Sequence, residues 1–374
     1  MDSDPDSNSD PEDKSMSAID EKNLTKTGLL DRFRQSWFPP AAVVGAFSAF
    51  VAAAFRVRPE PKPAPRPAAA PAAPLVHLSV APPPARTFER EYVHAAFSAP
   101  PFRTNLLGIA VGPADHVFAL GDGEVRVFDS SGVLLRTLRA GDDAACLAAG
   151  PDERIFLGAG ARVRILDPSG KQAGNIAVGS MGRPANITAI RVFKGELLLA
   201  DAAARLIRRY DFGGRPLGTI GDKSKAGTFI LPNRSLDFEV DARGVVRATD
   251  SGRHQVTAWA LDGAPMGSFG RFGMSNPEDF VGCCNPVNLA LTPDGKIVTA
   301  EKMIARVKVF EPDGRLLALI GPENFDSNCT HIYLTVDSKG RILAADPVRR
   351  EIKVFTPAAG TGAAGPFSQE HQRA

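Results

Sequence analysis

The chain is predicted to be all-β, a six-bladed β-propeller carried behind a membrane-anchored leader, and three observations support this. A unit of about 45 residues recurs six times between residues 88 and 356. Each unit divides into short strands separated by Asp/Gly turns, about four strands per unit. The sixth unit stops after its third strand, while the first unit has a surplus segment, TFEREYVHAAF (87–97), ahead of it. In a closed ring that segment would supply the missing outer strand of the last blade and remove an open edge.

Taken from the N-terminus, residues 1–36 hold nine acids against five bases, with Ser, Asn and Pro between them. Such a stretch buries too little apolar surface to offset chain entropy, so a disordered cytoplasmic tail is expected. Residues 37–55, WFPPAAVVGAFSAFVAAAF, contain no charge. As a helix they would span about 28 Å, close to the hydrocarbon core of a bilayer. Trp37 is placed as an interfacial aromatic, and Pro39 and Pro40 fit a first helical turn. A cleavable signal peptide is the competing reading, but the polar segment before it is much longer than an ordinary n-region. The expectation is an uncleaved signal-anchor. Residues 56–86 form a Pro/Ala-rich linker with ten prolines between Pro59 and Pro84. In polyproline geometry residues 59–74 reach about 50 Å. Such a stalk suits a folded domain held away from a membrane, so the protein is expected at the inner membrane, single-pass, with its bulk on the periplasmic or extracytoplasmic side.

The repeats occupy 87–357, and a disordered tail is expected over 358–374. GEVRVFDSSGVLLRTL (123–138) aligns with ARVRILDPSGKQAGNI (161–176), ARLIRRYDFGGRPLGTIG (204–221) and HQVTAWALDGAPMGSFG (254–270). ARVKVFEPDGRLLALIG (305–321) and REIKVFTPAAG (350–360) complete the set. The apolar anchor before each turn is Phe128, Leu166, Tyr210, Trp259, Phe310 or Phe355. Upstream halves such as NLALTPDGKIVTAE (288–301) and IYLTVDSKGRILAAD (332–346) alternate apolar positions at period two, as half-buried strands do. The glycines after residue 107 thus time turns, whereas the prolines build the stalk.

These units resemble the NHL-repeat family of six-bladed propellers. The order of 332–346, 305–310 and 312–321 follows that family's strand–turn pattern, although blade two has LGAG (157–160) in place of the usual acid. The string GCCNP (282–286) resembles one found in a bacterial subgroup of NHL proteins. The resemblance implies a binding platform. Related six-bladed rings include lactonases and lyases that hold an axial metal.

Composition narrows the functional classes. With 44% hydrophobic and 23% charged residues and a net charge of +2, the chain has a globular balance and no global case for nucleic acid. There is no G-x-S-x-G, H-E-x-x-H or phosphate-binding Gly-rich loop. Asp201, Asp250, Glu301 and Asp346 recur at the end of strand two and read as structural turn acids. Arg126, Arg164, Arg208, Lys308 and Lys353 recur two positions before the anchor, as long stems covering apolar surface or as a basic ring. The histidines His94, His116 and His254 occupy unrelated repeat positions.

Four cysteines are present. Cys284 and Cys329 fall at equivalent points of adjacent blades, with Cys283 beside the first and His331 two residues beyond the second. Three readings stay open: an inter-blade disulfide, free thiols, or a redox or metal site, for which a Cys₃His set would suit zinc, copper or an Fe–S cluster. Cys146 reads as a buried small apolar residue. The expected function is therefore an envelope binding or scaffold propeller with a protein or glycan partner and no required cofactor. The alternatives are a redox or metal protein using Cys283, Cys284, Cys329 and His331, and a lactonase- or lyase-like metal enzyme.

Overall fold

The computed structural model describes residues 88–222 and 228–358. The acidic tail, the apolar segment 37–55, the Pro/Ala linker and the C-terminal tail beyond 358 lie outside the described residues. Among the described residues no helix is long and apolar enough to cross a membrane.

The described chain is strands and turns, with two short 3-10 turns at Pro113–Asp115 and Pro322–Asn324. A leading strand, β1 (Tyr92–Ala95), precedes blade 1, which comprises β2 (Gly108–Val111), β3 (Val117–Gly121), β4 (Glu124–Phe128) and β5 (Leu134–Arg139). Blade 2 is β6 (Cys146–Ala149), β7 (Ile155–Ala159), β8 (Arg162–Leu166) and β9 (Gln172–Ala177). Blade 3 is β10 (Ile187–Phe193), β11 (Glu196–Asp201), β12 (Leu206–Asp211) and β13 (Pro216–Ile220). Blade 4 is β14 (Phe238–Val240), β15 (Val246–Asp250), β16 (Gln255–Trp259) and β17 (Pro265–Phe269). Blade 5 is β18 (Asn288–Leu291), β19 (Ile297–Glu301), β20 (Arg306–Phe310) and β21 (Leu316–Ile320). Blade 6 is β22 (Tyr333–Val336), β23 (Ile342–Asp346) and β24 (Glu351–Pro357), with β1 as its fourth strand.

Each blade is a four-stranded antiparallel sheet. The innermost strands pack in sequence around the axis, and β22 meets β2, so six sheets make a ring. β1 lies antiparallel to β24, with Tyr92 opposite Pro357 and Ala95 opposite Val354.

The repeated anchors explain why the sheets stack. Phe128, Leu166, Tyr210, Trp259, Phe310 and Phe355 are all buried. They pack between blades: one apolar cluster joins Phe118 and Val127 of blade 1 to Leu147 and Leu157 of blade 2. Another joins Phe128 of blade 1 to Leu343 and Val354 of blade 6. Burying one such side chain contributes about 1.5–3 kcal/mol. In blades 1 to 5 the pairing of the third and fourth strands shifts register at the anchor, a repeated bulge that bends the outer strand.

Antiparallel order sorts the connections onto two faces. Turns between first and second, and between third and fourth, strands form a turn face. There Asp129, Asp167, Asp211 and Asp241 accept hydrogen bonds from backbone N–H groups two or four residues on, closing the turns. The loops between blades and the second–third turns form the opposite, loop face. Both ends of the described ring lie at the turn face, where Ala358 N donates to Glu91 O at 2.9 Å.

Candidate functional site

The loop face is organised by the strand-two acids. Asp201 Oδ1 accepts from Asn186 N in the incoming loop at 3.0 Å and from Ala203 N and Ala204 N in its own turn. Asp346 does the same with Asp326 N at 2.8 Å and with Val348 N and Arg349 N. Asp250 accepts from Ile230 N, and Glu301 Oε2 from Val281 N at 2.9 Å. All four acids are almost fully buried, so each carboxylate ties an inter-blade loop to the strand beneath it. In blade 1 the neighbouring position takes this role. Asp122 accepts from the backbone of Arg103, Thr104 and Asn105, and although burial pushes its carboxyl up, these hydrogen bonds and that of the Thr104 hydroxyl hold it far below the usual range.

Three of the five recurring bases, Arg126, Arg208 and Lys308, are partners of these acids, a pairing that sequence reasoning missed. Arg208 makes two hydrogen bonds to Asp201 Oδ2, at 2.9 and 2.7 Å. Lys308, fully buried, sits 2.6 Å from Glu301 Oε1 and donates to Asp279 O at 2.7 Å, with the Phe280 ring 4.7 Å away. Arg126 reaches Asp122, Arg164 reaches Asp143 and Lys353 reaches Glu351. The available signal was a base seven residues after the acid in blades 3 and 5.

Glu301 also frames the double-cysteine loop. Val281 N is held by Glu301, while Asn285 Nδ2 bonds to Val281 O and to Lys302 O, and Lys302 N donates to Asn285 Oδ1. Between these fixed points Cys283 is exposed and Cys284 buried, with their sulfurs 3.1 Å apart. The Cys284 thiol beside it and the Lys302 ammonium draw the Cys283 pKa down. Burial raises that of Cys284.

Cys329 and His331 form a separate arrangement: Cys329 Sγ donates to His331 O at 2.7 Å. Burial pushes the Cys329 thiol up to about 12 and the His331 ring down, the latter also through Lys302. No hydrogen bond or disulfide among the described residues joins this pair to Cys283 or Cys284, and all four cysteines are thiols. Cys146 is buried in blade 2, and burial pushes it too up to about 12. Among the described residues no group of three or more His, Cys, Asp or Glu side chains gathers as a metal-binding set.

A second feature of the loop face is its exposed apolar side chains. Of the twelve large apolar residues exposed among the described residues, seven lie there: Met181, Ile230, Phe272, Met274, Met303, Ile304 and Val348. Phe272, Met274 and Met303 are 56%, 67% and 64% exposed. Phe272 and Met303 are linked through defined contacts. The Phe272 ring lies 5.2 Å from His254, whose Nε2 is 2.8 Å from Gly282 O. A Cβ on Gly282 would come within 2.8 Å of Met303 Sδ. The loop holding Phe272 is itself pinned by a bridge to Phe280. The patch therefore continues into the Cys283 loop on blade 5.

The axis is the third feature, and sequence reasoning did not single it out. A cavity of about 230 Å³ is lined by all six innermost strands, mostly with aliphatic side chains such as Val111, Leu147, Val192 and Leu334. Arg191 lines it, hydrogen-bonded to Glu239 and, at 3.0 Å, to Asp237 Oδ1 of the next blade. Asp237 Oδ2 accepts from Asn288 Nδ2 and Leu289 N, so the network joins blades 3, 4 and 5. Burial opposes the charge on Arg191, but Glu239 and Asp237 outweigh it and keep the guanidinium ionised. Burial raises the pKa of Glu239 despite Arg191. The sequence signal was two acids at alternating positions, Asp237 just before the inner strand and Glu239 within it.

Comparison with solved structures places the architecture. A structural-genomics protein of unknown function from Bacteroides thetaiotaomicron matches with a TM-score of 0.50 at 13% identity, covering 71% of this chain and 72% of that one. A streptogramin B lyase structure matches with a TM-score of 0.48 at 10% identity, covering 73% of this chain and all of the other. No family model and no curated protein matches the chain. The protein is a six-bladed β-propeller. At these identities the likeness speaks for the fold alone.

Proposed function

We propose that this protein is an NHL-type propeller, anchored in the inner membrane and displayed outside the cytoplasm, that binds a protein partner through its loop face. The apolar segment 37–55 and the Pro/Ala stalk support the anchoring and the display. The carrying observation is the exposure of Phe272 and Met303, linked through His254 and Gly282, on the same face as exposed Met274 and Ile304. Phe and Met are enriched at the centres of protein interfaces, and flexible thioethers adapt to a partner's shape. Both ends of the ring leave from the opposite face.

The test is crosslinking and co-purification from solubilised membranes with the full chain and a Phe272→Ser/Met303→Ser double variant. The wild type is expected to retain a defined partner that the double variant loses, with the variant's melting temperature unchanged. Equal capture by both, or none by the wild type, would overturn this reading. The lactonase- or lyase-like alternative would call on Asp237 and Glu239, the two axial carboxylates, and both already hold Arg191.

A further inference from the structure

We infer that Cys283 and Cys284 form a reactive vicinal dithiol that exchanges with disulfide substrates, Cys283 attacking and Cys284 resolving. The inference does not depend on what the loop face binds.

The geometry carries it. The two sulfurs are 3.1 Å apart, about 1 Å more than an S–S bond. Cys283 is exposed and therefore free to rotate toward its neighbour, whereas Cys284 is held in the interior. The loop is fixed on both sides of the pair, at Val281 by Glu301 and at Asn285 by Lys302, so the thiols do not pay a large ordering cost to meet. The Lys302 ammonium acts on both sulfurs. A cation and a thiol donor beside an exposed sulfur favour its thiolate, the nucleophilic form. Cys146 and Cys329 contrast sharply: both are buried, and burial holds their thiols protonated at neutral pH.

The exchange balances with a disulfide R–S–S–R′ as the named oxidant. Cys283 releases its proton, and its thiolate attacks one sulfur to form a Cys283–S–S–R mixed disulfide. R′–S⁻ leaves and takes up a proton to become R′–SH. Cys284 then loses its proton and attacks the Cys283 sulfur, forming the Cys283–Cys284 bond. R–S⁻ leaves and takes up that proton as R–SH. Two electrons pass from the protein to the substrate, and the two thiol protons end on the two products. Reduction of the pair by a dithiol runs the same steps in reverse.

The experiment uses the full reduced chain in detergent and two probes, phenylarsine oxide and glutathione disulfide. Wild type should capture one phenylarsine, leaving two thiols open to maleimide after denaturation. C283S and C284S should lose capture completely, while C146S and C329S should keep it. With glutathione disulfide, wild type should lose two hydrogens, retain no glutathione and yield a peptide with Cys283 joined to Cys284. C284S should stop as a glutathione mixed disulfide on Cys283. Failure to capture the arsenical, glutathione retained on wild type, or linkage of Cys283 or Cys284 to Cys329 would each overturn the inference. The wild-type peptide map decides the matter even where C284S folds poorly. Neither readout involves a partner, so a negative result leaves the docking proposal standing, and C283S can be tested for partner capture separately.

Discussion

Gly158 lacks a side chain because Cys146, opposite it in the sheet, has one. A Cβ on Gly158 would lie 2.4 Å from Cys146 Sγ and 3.3 Å from the Ile187 side chain. Blade 2 therefore has no room for a side chain at Gly158, one residue before the position that Asp201 holds in blade 3 and that Ala159 holds here. Gly158→Ala is expected to destabilise the ring by about 1–3 kcal/mol, as overpacking in a filled core does. Chemical denaturation measures this, and adding Cys146→Ala should recover part of the loss. An unchanged midpoint for the single variant would show that the sulfur simply moves aside. The glycine at 158 is visible in the sequence, but the reason for it is a contact between paired strands that no local pattern encodes.

At the scale of a strand pair, the hairpin of β19 and β20 is built around charges. Glu301 accepts from Arg306 and lies against Lys308, whose side chain has no solvent exposure. Glu301→Gln strands two cations next to a neutral amide and frees the Val281 loop. A cost of about 3–5 kcal/mol is expected, the usual range for breaking a buried pair from one side. Denaturant titration reads it, and a loss well under 1 kcal/mol would mean that water reaches Lys308. The clip in blade 1 gives a pH signature instead. The folded pKa of Asp122 lies below its ordinary value, because backbone N–H groups and the Thr104 hydroxyl favour its charged form against the opposing effect of burial. Its stabilisation is then present above the unfolded value, about pH 4, and is lost as the pH falls through the folded one. Asp122→Asn should lower the melting temperature at neutral pH, with the gap from wild type shrinking below about pH 4. A gap independent of pH would point to a steric cost of the amide. Recurrence made the acids and bases of these hairpins legible separately. Their pairing was not, because Arg208 and Asp201 occupy opposite arms of a hairpin, where seven residues of sequence separation become a hydrogen bond only once the arms are in register.

For the whole molecule, ring closure sets stability. β24 has an outer edge that β1 covers, and Glu89 and Arg90 add contacts to Arg315 and Asp294. Deleting residues 88–96 from the full chain uncovers that edge and leaves the blade with three strands. The expected result is a lower melting temperature together with self-association, since an open edge pairs with other chains. Calorimetry and light scattering test it; a deletion variant that stays monomeric with an unchanged melting temperature would show that three strands suffice for the sixth blade. The two faces of the ring also differ in kind. On the turn face carboxylates close Asx turns, whereas on the loop face buried carboxylates tie down the inter-blade loops and most of the exposed Phe and Met side chains gather.

The sequence alone determined the number of blades, the strands in each and the anchors between them, because period-two alternation and turn residues are local and repeat with the unit. Only the tertiary structure decided which distant residues meet. Arg191 finds Asp237 and Glu239 on the next blade, Phe272 reaches the Gly282 loop through His254, and Cys283 contacts Cys284 while Cys329 bonds to His331 O. Equivalent positions on adjacent blades suggested one cysteine cluster. Which side chain turns inward and which outward at those positions depends on the hydrogen bonds that fix each loop, and those come from strands on the far side of a hairpin or from the next blade.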